Sequence, residues 1–423
     1  MYSFKNLAEV EAALEPFWPR NIRGRQAYTL DHMRDFMDFL GNPQDHIPAI
    51  HVAGTSGKTS TAYYAAALLK AVGKRVGLLI SPHLEHISER AMLDLVPLPE
   101  RRFCQEFAIF LDLADKSKLK LTYAEILYGF GYWVFARERV DYMVIETGMG
   151  GLLDATNVIT RKDKICVITD IGFDHTHALG RTLTEIAAHK AGIIGANNVV
   201  FCYRQDEPAL QVIESVCRQR HADLHVLMSV NTHLAVHHLP FFQQRNFGLA
   251  VEAVDFALER FDPHTPTLSD AHLRQAAEQF IPGRMEMRYV GKKRIIFDSA
   301  HNGQKMCMLA QSLAAEFAGQ KGAVLIALTA GRGRDPKDTV TPLTPLITHC
   351  ITTRPPKDDV HEWYDPQELA GIAAQAGLEH VDAVDNYKDA LRLLLESPEP
   401  LLLVTGSLYL YQYIRPLTSD MPL

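Results

Sequence analysis

The stretch His51–Ala62 reads HVAGTSGKTSTA, a small-residue loop closing on Gly-Lys-Thr between two apolar segments. Before it, IPAIHVAG (47–54) is a short β-branched run without polar alternation; after it, TAYYAAALLKAVG (61–73) has a helical composition. A strand, a glycine turn and a helix in that order predict one β-α unit of a parallel sheet, buried on both faces. A tight turn needs only one or two glycines. The lysine and two hydroxyl residues directly after Gly57 ask for a further reason, and a bound anion supplies one.

The generic phosphate loop carries a first glycine five residues before Gly-Lys-Ser/Thr, and that position here is Val52. What remains is a shortened form, Gly54-Thr55-Ser56-Gly57-Lys58-Thr59-Ser60. The physics survives the shortening: backbone N–H groups and a helix N-terminus face the anion, Lys58 supplies charge, and Thr59 can approach a magnesium ion. The expectation is a nucleotide-phosphate site.

Working outward, RVGLLI (75–80), VDYMVIET (140–147), KICVITDI (164–171) and NVVFCY (198–203) read as further buried strands separated by helical patterns. After IPGR (281–284) the alternation restarts with RIIFDSA, GAVLIALT, HCITTR and LLLVTGS. The chain therefore reads as α/β with two domains, 1–282 and 283–423, the second a small doubly wound sheet. Segment 224–245 is the least readable. At 423 residues there is room for more than one core. A net charge of -7 argues against a general nucleic-acid binder.

The six cysteines lack metal-knuckle spacing, which suggests a reducing compartment. The N-terminus, MYSFKNLAEVEAALEP, has no secretory pattern and no apolar run reaches membrane length. A cytoplasmic protein without membrane contact is expected.

In an open α/β sheet, ligands collect at the carboxyl ends of the strands. Ser81 in SPHL (81–84), Glu146 in IETGMGGLLDATN (145–157) and His175 in DIGFDHTHALG (170–180) each follow a different expected strand. With Thr59 and phosphate oxygens they make a reasonable magnesium shell, where hard oxygen donors dominate. Each has an ordinary alternative, a cap for the glutamate or a hydrogen-bonded structural histidine. Their joint order around a phosphate loop favours the functional reading.

The Gly-Thr-x-Gly-Lys-Thr loop resembles the Mur ligases, ATP-dependent enzymes that join a carboxylate to an amino acid. SPHL, LDATN, DHTHALG, HKAGII (189–194), PGR and FDSAHN (297–302), in this order, resemble the folate branch of that superfamily, the folylpolyglutamate and dihydrofolate synthases. The likeness runs from about residue 40 to 415 and includes GSLYLYQYIR (406–415).

The resemblance implies a Mur-ligase-like ATPase domain followed by a smaller Rossmann-like glutamate-ligase domain. It implies nucleotide contacts at Gly54–Ser60, Asn246, Arg284 and Asp298. Magnesium, as two ions, would sit at Thr59, Ser81, Glu146 and His175. Catalytic roles fall to Lys58, His175 and Lys190, a lysine carbamylated in the family. Acceptor or glutamate contacts fall at Asp154, Ala155, His301 and Ser407. It further implies a monomer taking a folate or related carboxylate, L-glutamate and ATP, and passing through an acyl phosphate.

Four departures from the branch stand out: Thr59 where a glycine is usual, Ala124 for a phenylalanine, Leu152 for an arginine, and TLDHMRDFMDFLGNP (29–43) without Gly-Leu-Glu-Arg. Three of them touch the acceptor side and keep a non-folate acceptor open. A switch or transport ATPase would need a partner-responsive loop, and a carbamate candidate has no purpose there.

Overall fold

Strand β1 (Ala49–Ala53) is buried along its whole length, with His51 as its one polar side chain. It lies inside an eight-stranded sheet with β2 (Val76–Leu79), β3 (Ala91–Leu93), β4 (Val96–Pro97), β5 (Tyr142–Glu146), β6 (Ile165–Ile168), β7 (Val199–Tyr203) and β8 (Asp223–Leu227). The spatial order is β4-β3-β2-β5-β1-β6-β7-β8. Pairing is parallel from β2 to β8, and the hairpin strands β3 and β4 run antiparallel at one edge. The chain leaves β1 toward β2 on one side and returns through β6 to β7 on the other. The crevice beside β1 is therefore a topological switch point, where α/β sheets hold their ligands.

This computed structural model describes residues 1–18, 29–230, 236, 238–265, 267–291, 293–330, 335–356 and 362–419. The chain forms two compact units. One comprises Met1–Ile171, Leu183–Leu239 and Gln243–Gln279; the other comprises Gly172–Thr182, Pro240–Phe242 and Phe280–Leu423.

One face of the first sheet is covered by the helices Glu100–Ser117 and Tyr123–Glu138, whose aromatic residues Phe103, Phe107, Phe110 and Phe130 are fully buried. Phe130 meets the other three rings edge-on at centroid distances of 5.2, 4.8 and 5.6 Å. Such contacts add about 0.5–1.5 kcal/mol each beyond area burial. The second of these helices begins on a capping box: Thr122 N–H donates to Glu125 and Glu125 N–H donates back to the Thr122 hydroxyl. LTYAE (121–125) thus carries the start of this helix.

The second unit holds a six-stranded sheet of β9 (Glu286–Val290), β10 (Lys293–Phe297), β11 (Gly322–Ile326), β12 (Ile347–Arg354), β13 (His380–Asn386) and β14 (Leu401–Thr405), in the order β13-β12-β11-β14-β10-β9. All neighbours are parallel except β9 with β10. The α/β reading with two parallel-rich sheets holds.

Candidate active site

In the first unit the loop after β1 is tied to the end of β6. The N–H groups of Thr55 and Ser56 both donate to the Asp170 carbonyl, at 2.9 and 3.1 Å. Arg245 holds the Asp170 carboxylate at 2.8 Å and stacks over Tyr203. The approach is so close that a Cβ at Gly54 would stand 1.8 Å from the Thr169 hydroxyl. Gly57 is left-handed, with φ +90, and its missing side chain is replaced by Asn246, whose Oδ1 would lie 2.3 Å from a Cβ. Glycine at both positions follows from space and backbone conformation together.

Gly57 is the N-cap of the helix Lys58–Ala71, and no side chain caps that helix. The amides of its first turn lie at the positive end of the helix dipole, where an anion is favoured. Two ammonium groups converge beside them: Lys58 Nζ donates to the Gly54 carbonyl at 3.1 Å, and Lys190 Nζ, on a side chain that is 3% exposed, donates to the same oxygen at 2.7 Å. Two like charges on one carbonyl repel, and an anion at the loop relieves that repulsion.

Glu146 ends β5 and is buried. Its carboxylate accepts the Thr59 hydroxyl at 2.8 Å and the Ser81 N–H at 3.3 Å. Thr59, Ser81 and Glu146 therefore meet at the carboxyl ends of β2 and β5, next to the helix start. A buried carboxylate with two hydroxyl-bearing neighbours is an oxygen-only donor set, which fits a hard divalent cation such as magnesium.

Asp154 is spent largely within its own glycine-rich loop. It accepts from Met149 N–H at 2.7 Å, from Thr156 N–H at 3.0 Å and from the Thr156 hydroxyl at 2.6 Å. Burial pushes its pKa up, against these hydrogen bonds. Because the Thr156 hydroxyl donates to Asp154, it can only accept from His51, whose Nε2 stands 2.9 Å away. His51 is thereby a neutral Nε2–H tautomer, and burial holds its pKa well below the usual value. Ala155, beside this network, packs against the aromatic core. Leu152 and Ala124 are exposed.

In the second unit, residues 172–182 bring Asp174 and His175 to the start of the helix Gly303–Glu316. The Asn302 amide donates to Asp174 Oδ2 at 3.3 Å, and Lys305 Nζ lies 3.9 Å from the same oxygen. His301 Nδ1 donates to the Ser299 carbonyl at 2.7 Å, and the Lys305 ammonium is 3.0 Å from its Nε2. Burial alone would raise the Asp174 pKa; His301, Lys305 and His175 outweigh it and hold the carboxyl far below the ordinary carboxylate range. His175 itself has φ 50 and accompanies Asp174 and His177.

Asp298 is buried at the end of β10, where it accepts from Met285 N–H at 2.9 Å and Ala300 N–H at 2.8 Å. Arg284 donates to the Ser299 hydroxyl and to the Gly283 carbonyl. Ser407 is buried before the helix Leu408–Ser419, with its Oγ accepting from Tyr409 N–H at 3.1 Å.

The structure thus gathers Gly54–Ser60, Ser81, Glu146, Lys190 and Asn246 in the first unit, and His175, Arg284, Asp298, His301 and Ser407 in the second. Sequence reasoning missed Asp170, Arg245 and Lys305. Arg245 adjoins the recognised Asn246, and Lys305 follows FDSAHN by three residues, one helical turn from Asn302; that spacing is the signal each offered.

No family model matches the chain. It is 30% identical over 424 residues to the folylpolyglutamate synthase of Lacticaseibacillus casei, covering 92% of this chain and 95% of that protein. It is 29% identical over 412 residues to the dihydrofolate synthetase of Saccharomyces cerevisiae, covering 90% and 95%. Among solved structures, the Mycobacterium tuberculosis folylpolyglutamate synthase complexed with ADP superposes with a TM-score of 0.84 at 26% identity, over 99% of both chains. Likeness at this level along nearly the whole length, in sequence and in fold, places the chain in the folylpolyglutamate synthase/dihydrofolate synthase family.

Proposed function

We propose that the protein is an ATP-dependent ligase that joins L-glutamate to the carboxylate of a folate, with dihydropteroate as the second acceptor to test. The observation that carries this reading is the convergence of Lys58 and Lys190 on the Gly54 carbonyl, at an uncapped helix start and beside the Thr59–Glu146 pair. That arrangement suits a nucleotide triphosphate with its divalent ion.

Amide formation from a carboxylate needs a better leaving group than hydroxide. The acceptor carboxylate attacks the γ-phosphorus of ATP and ADP departs, leaving an acyl phosphate. The glutamate amine then attacks the acyl carbon, phosphate leaves and the nitrogen loses a proton. Such chemistry asks the protein for position and charge rather than a nucleophile. We assign Gly54–Ser60 and Asn246 to the phosphates, with Lys58 neutralising charge that grows on the transferred group. Thr59, Ser81, Glu146 and His175 are assigned to magnesium, which when bound offsets phosphate-oxygen charge. Arg284 and Asp298 are assigned to the nucleotide, Asp154 and Ala155 to the acceptor, and His301 and Ser407 to glutamate. The ammonium of Lys305 beside His301 adds a charge suited to a glutamate carboxylate.

Lys190 is assigned as a carbamate: its neutral amine adds CO2 and loses a proton, turning one of two adjacent cations into an anion that faces Lys58. Intact-mass or 13C-bicarbonate NMR measurement on the wild type and Lys190→Ala tests this. On the same reading the enzyme acts as a monomer in the cytoplasm, where its six free thiols, five of them buried, stay reduced. No helix among the described residues is long and apolar enough to cross a membrane.

The decisive experiment incubates purified protein with ATP, magnesium and glutamate, with tetrahydrofolate, dihydropteroate or a cell-wall precursor as acceptor. Folate-dependent ADP release with a product one glutamyl residue heavier is expected. Acceptor-independent hydrolysis, or turnover only with the non-folate carboxylate, overturns the reading.

A further inference from the structure

A second group of metal-ligating side chains lies in the second unit, on strands that the proposed ligation does not use. β12 and β13 pair in parallel, with His349 opposite His380 and Ile351 opposite Asp382. Side chains alternate along a strand, so residues 380 and 382 share one face of the sheet and His349 joins them from the neighbouring strand. One ligand atom from each of the three lies within 4.8 Å of the other two. His349 Nε2 is 2.7 Å from Asp382 Oδ2, and the two imidazole rings are 4.4 Å apart between centroids.

The hydrogen bonding of His349 is that of a ligand. Its Nδ1 stands 3.1 Å from the Ser397 hydroxyl, which in turn donates to the Leu393 carbonyl at 3.4 Å. Ser397 thus anchors the ring from its Nδ1 side, while Nε2 faces the Asp382 carboxylate, the atom that a metal ion would share with it in place of the proton. An outer hydrogen bond that fixes the tautomer and ring angle of a ligating histidine is the usual accompaniment of a metal site.

We propose that His349, His380 and Asp382 bind one transition-metal dication, of which Zn2+ is the representative. Two imidazoles and a carboxylate favour such ions over magnesium, which prefers an all-oxygen shell. Bonds of about 2.0–2.1 Å at tetrahedral angles put donor atoms roughly 3.4 Å apart. Reaching that spacing requires the His349–Asp382 pair to open from 2.7 Å and the exposed His380 side chain to turn toward it. The three ligands leave a fourth position for water. Ser397 is also the C-cap of the helix Tyr387–Glu396, so the negative end of that helix dipole lies on the same side. β13 is the edge strand of its sheet, and an ion held from both strands staples that edge to β12.

The test uses tag-free full-length protein, stripped with chelator and kept in millimolar magnesium so that any oxygen-donor site is filled. Zn2+ is titrated calorimetrically, and Co2+ is followed by its visible absorbance. The wild type should take up one equivalent with a micromolar or tighter Kd, give a Co2+ spectrum of low coordination number, and show a higher unfolding midpoint with the ion. His380→Ala, whose side chain is exposed, and Asp382→Asn should fold as the wild type does without metal and weaken binding by about tenfold or more. Equal affinity and stoichiometry in wild type and both variants overturns the proposal, as does the absence of binding up to millimolar Zn2+. The latter result would leave the His349–Asp382 contact as a hydrogen bond between the two side chains.

Discussion

The packing of Asn246 into the space above Gly57 gives a quantitative test of how the phosphate loop is built. The three atoms nearest a Cβ at Gly57 all belong to Asn246, at 2.3, 3.1 and 3.4 Å, in a backbone with φ +90. Gly57→Ala therefore carries two separable penalties. Overpacking costs about 1–3 kcal/mol, and the left-handed conformation costs an L-residue about 1–2 kcal/mol. Together the single variant should lose about 2–5 kcal/mol, a large share of the 5–15 kcal/mol typical of a folded domain. Asn246→Ala alone loses roughly 1 kcal/mol with its hydrogen bond to Gln243. In the double variant the steric part vanishes, so the two changes should be non-additive by about 1–3 kcal/mol in the favourable direction. Urea unfolding followed by tryptophan fluorescence reads this out. Of the three tryptophans, Trp18 and Trp133 report on the first unit, and Trp363→Phe silences the second. Strict additivity, within about 0.5 kcal/mol, would refute the packing argument and detach Asn246 from the loop.

Three further outcomes are expected. Lys58→Ala should remove ligation, a loss of about 10²–10³-fold or more for one charge on the transferred phosphoryl group, with the unfolding midpoint nearly unchanged; full activity counts against the assignment. Glu146→Ala should raise the magnesium concentration for half-maximal turnover by about tenfold or more, since the buried carboxylate is the only charged member of the Thr59–Ser81–Glu146 group. A magnesium titration of initial rates decides it. His83 is pushed down to about 3 by burial, with Arg90 and His86 adding to the effect. Its folded pKa lies below the unfolded 6.5, so its contribution is complete above pH 6.5 and is lost as pH falls toward 3, at about 1.4 kcal/mol per pH unit. His83→Gln should flatten the acid limb of the stability–pH curve by one proton; an unchanged slope rejects the buried neutral imidazole.

What the sequence revealed and concealed follows burial. β6 is an uninterrupted apolar run, and β1, β5 and β14 carry one polar residue each among apolar ones, because both faces are covered; they could be read directly. β3, β4, β8, β9 and β13 escaped, and all lie at or beside a sheet edge. β8 shows why: in DLHVL no residue is fully buried, so its apolar and polar residues never form a continuous run. The phosphate loop was legible through residue types that a turn does not need. Its supports were not: Asp170 acts through its carbonyl, which carries no signature in the side chain, and Thr169 matters through the volume it denies to Gly54. Asp154 was legible as a site residue, but its bonds to Met149 and Thr156 depend on the folded path of the glycine loop. The His349–His380–Asp382 group was invisible because its members come from two strands 31 positions apart, a separation that only the β12–β13 register closes.

The second unit is not one continuous piece of the gene product. The chain leaves the first unit after Ile171, lends Gly172–Thr182 to the second, and goes back at Leu183. A break introduced after Gln279 would therefore not part the molecule cleanly. The N-terminal product would carry Asp174 away from Asn302 and Lys305, leaving a strongly acidic carboxyl without the cations that keep it ionised. The C-terminal product would lack the segment that lies over the start of its first long helix. Recombination between relatives at that point would have to match both fragments at once, so the two halves are bound to evolve as a pair.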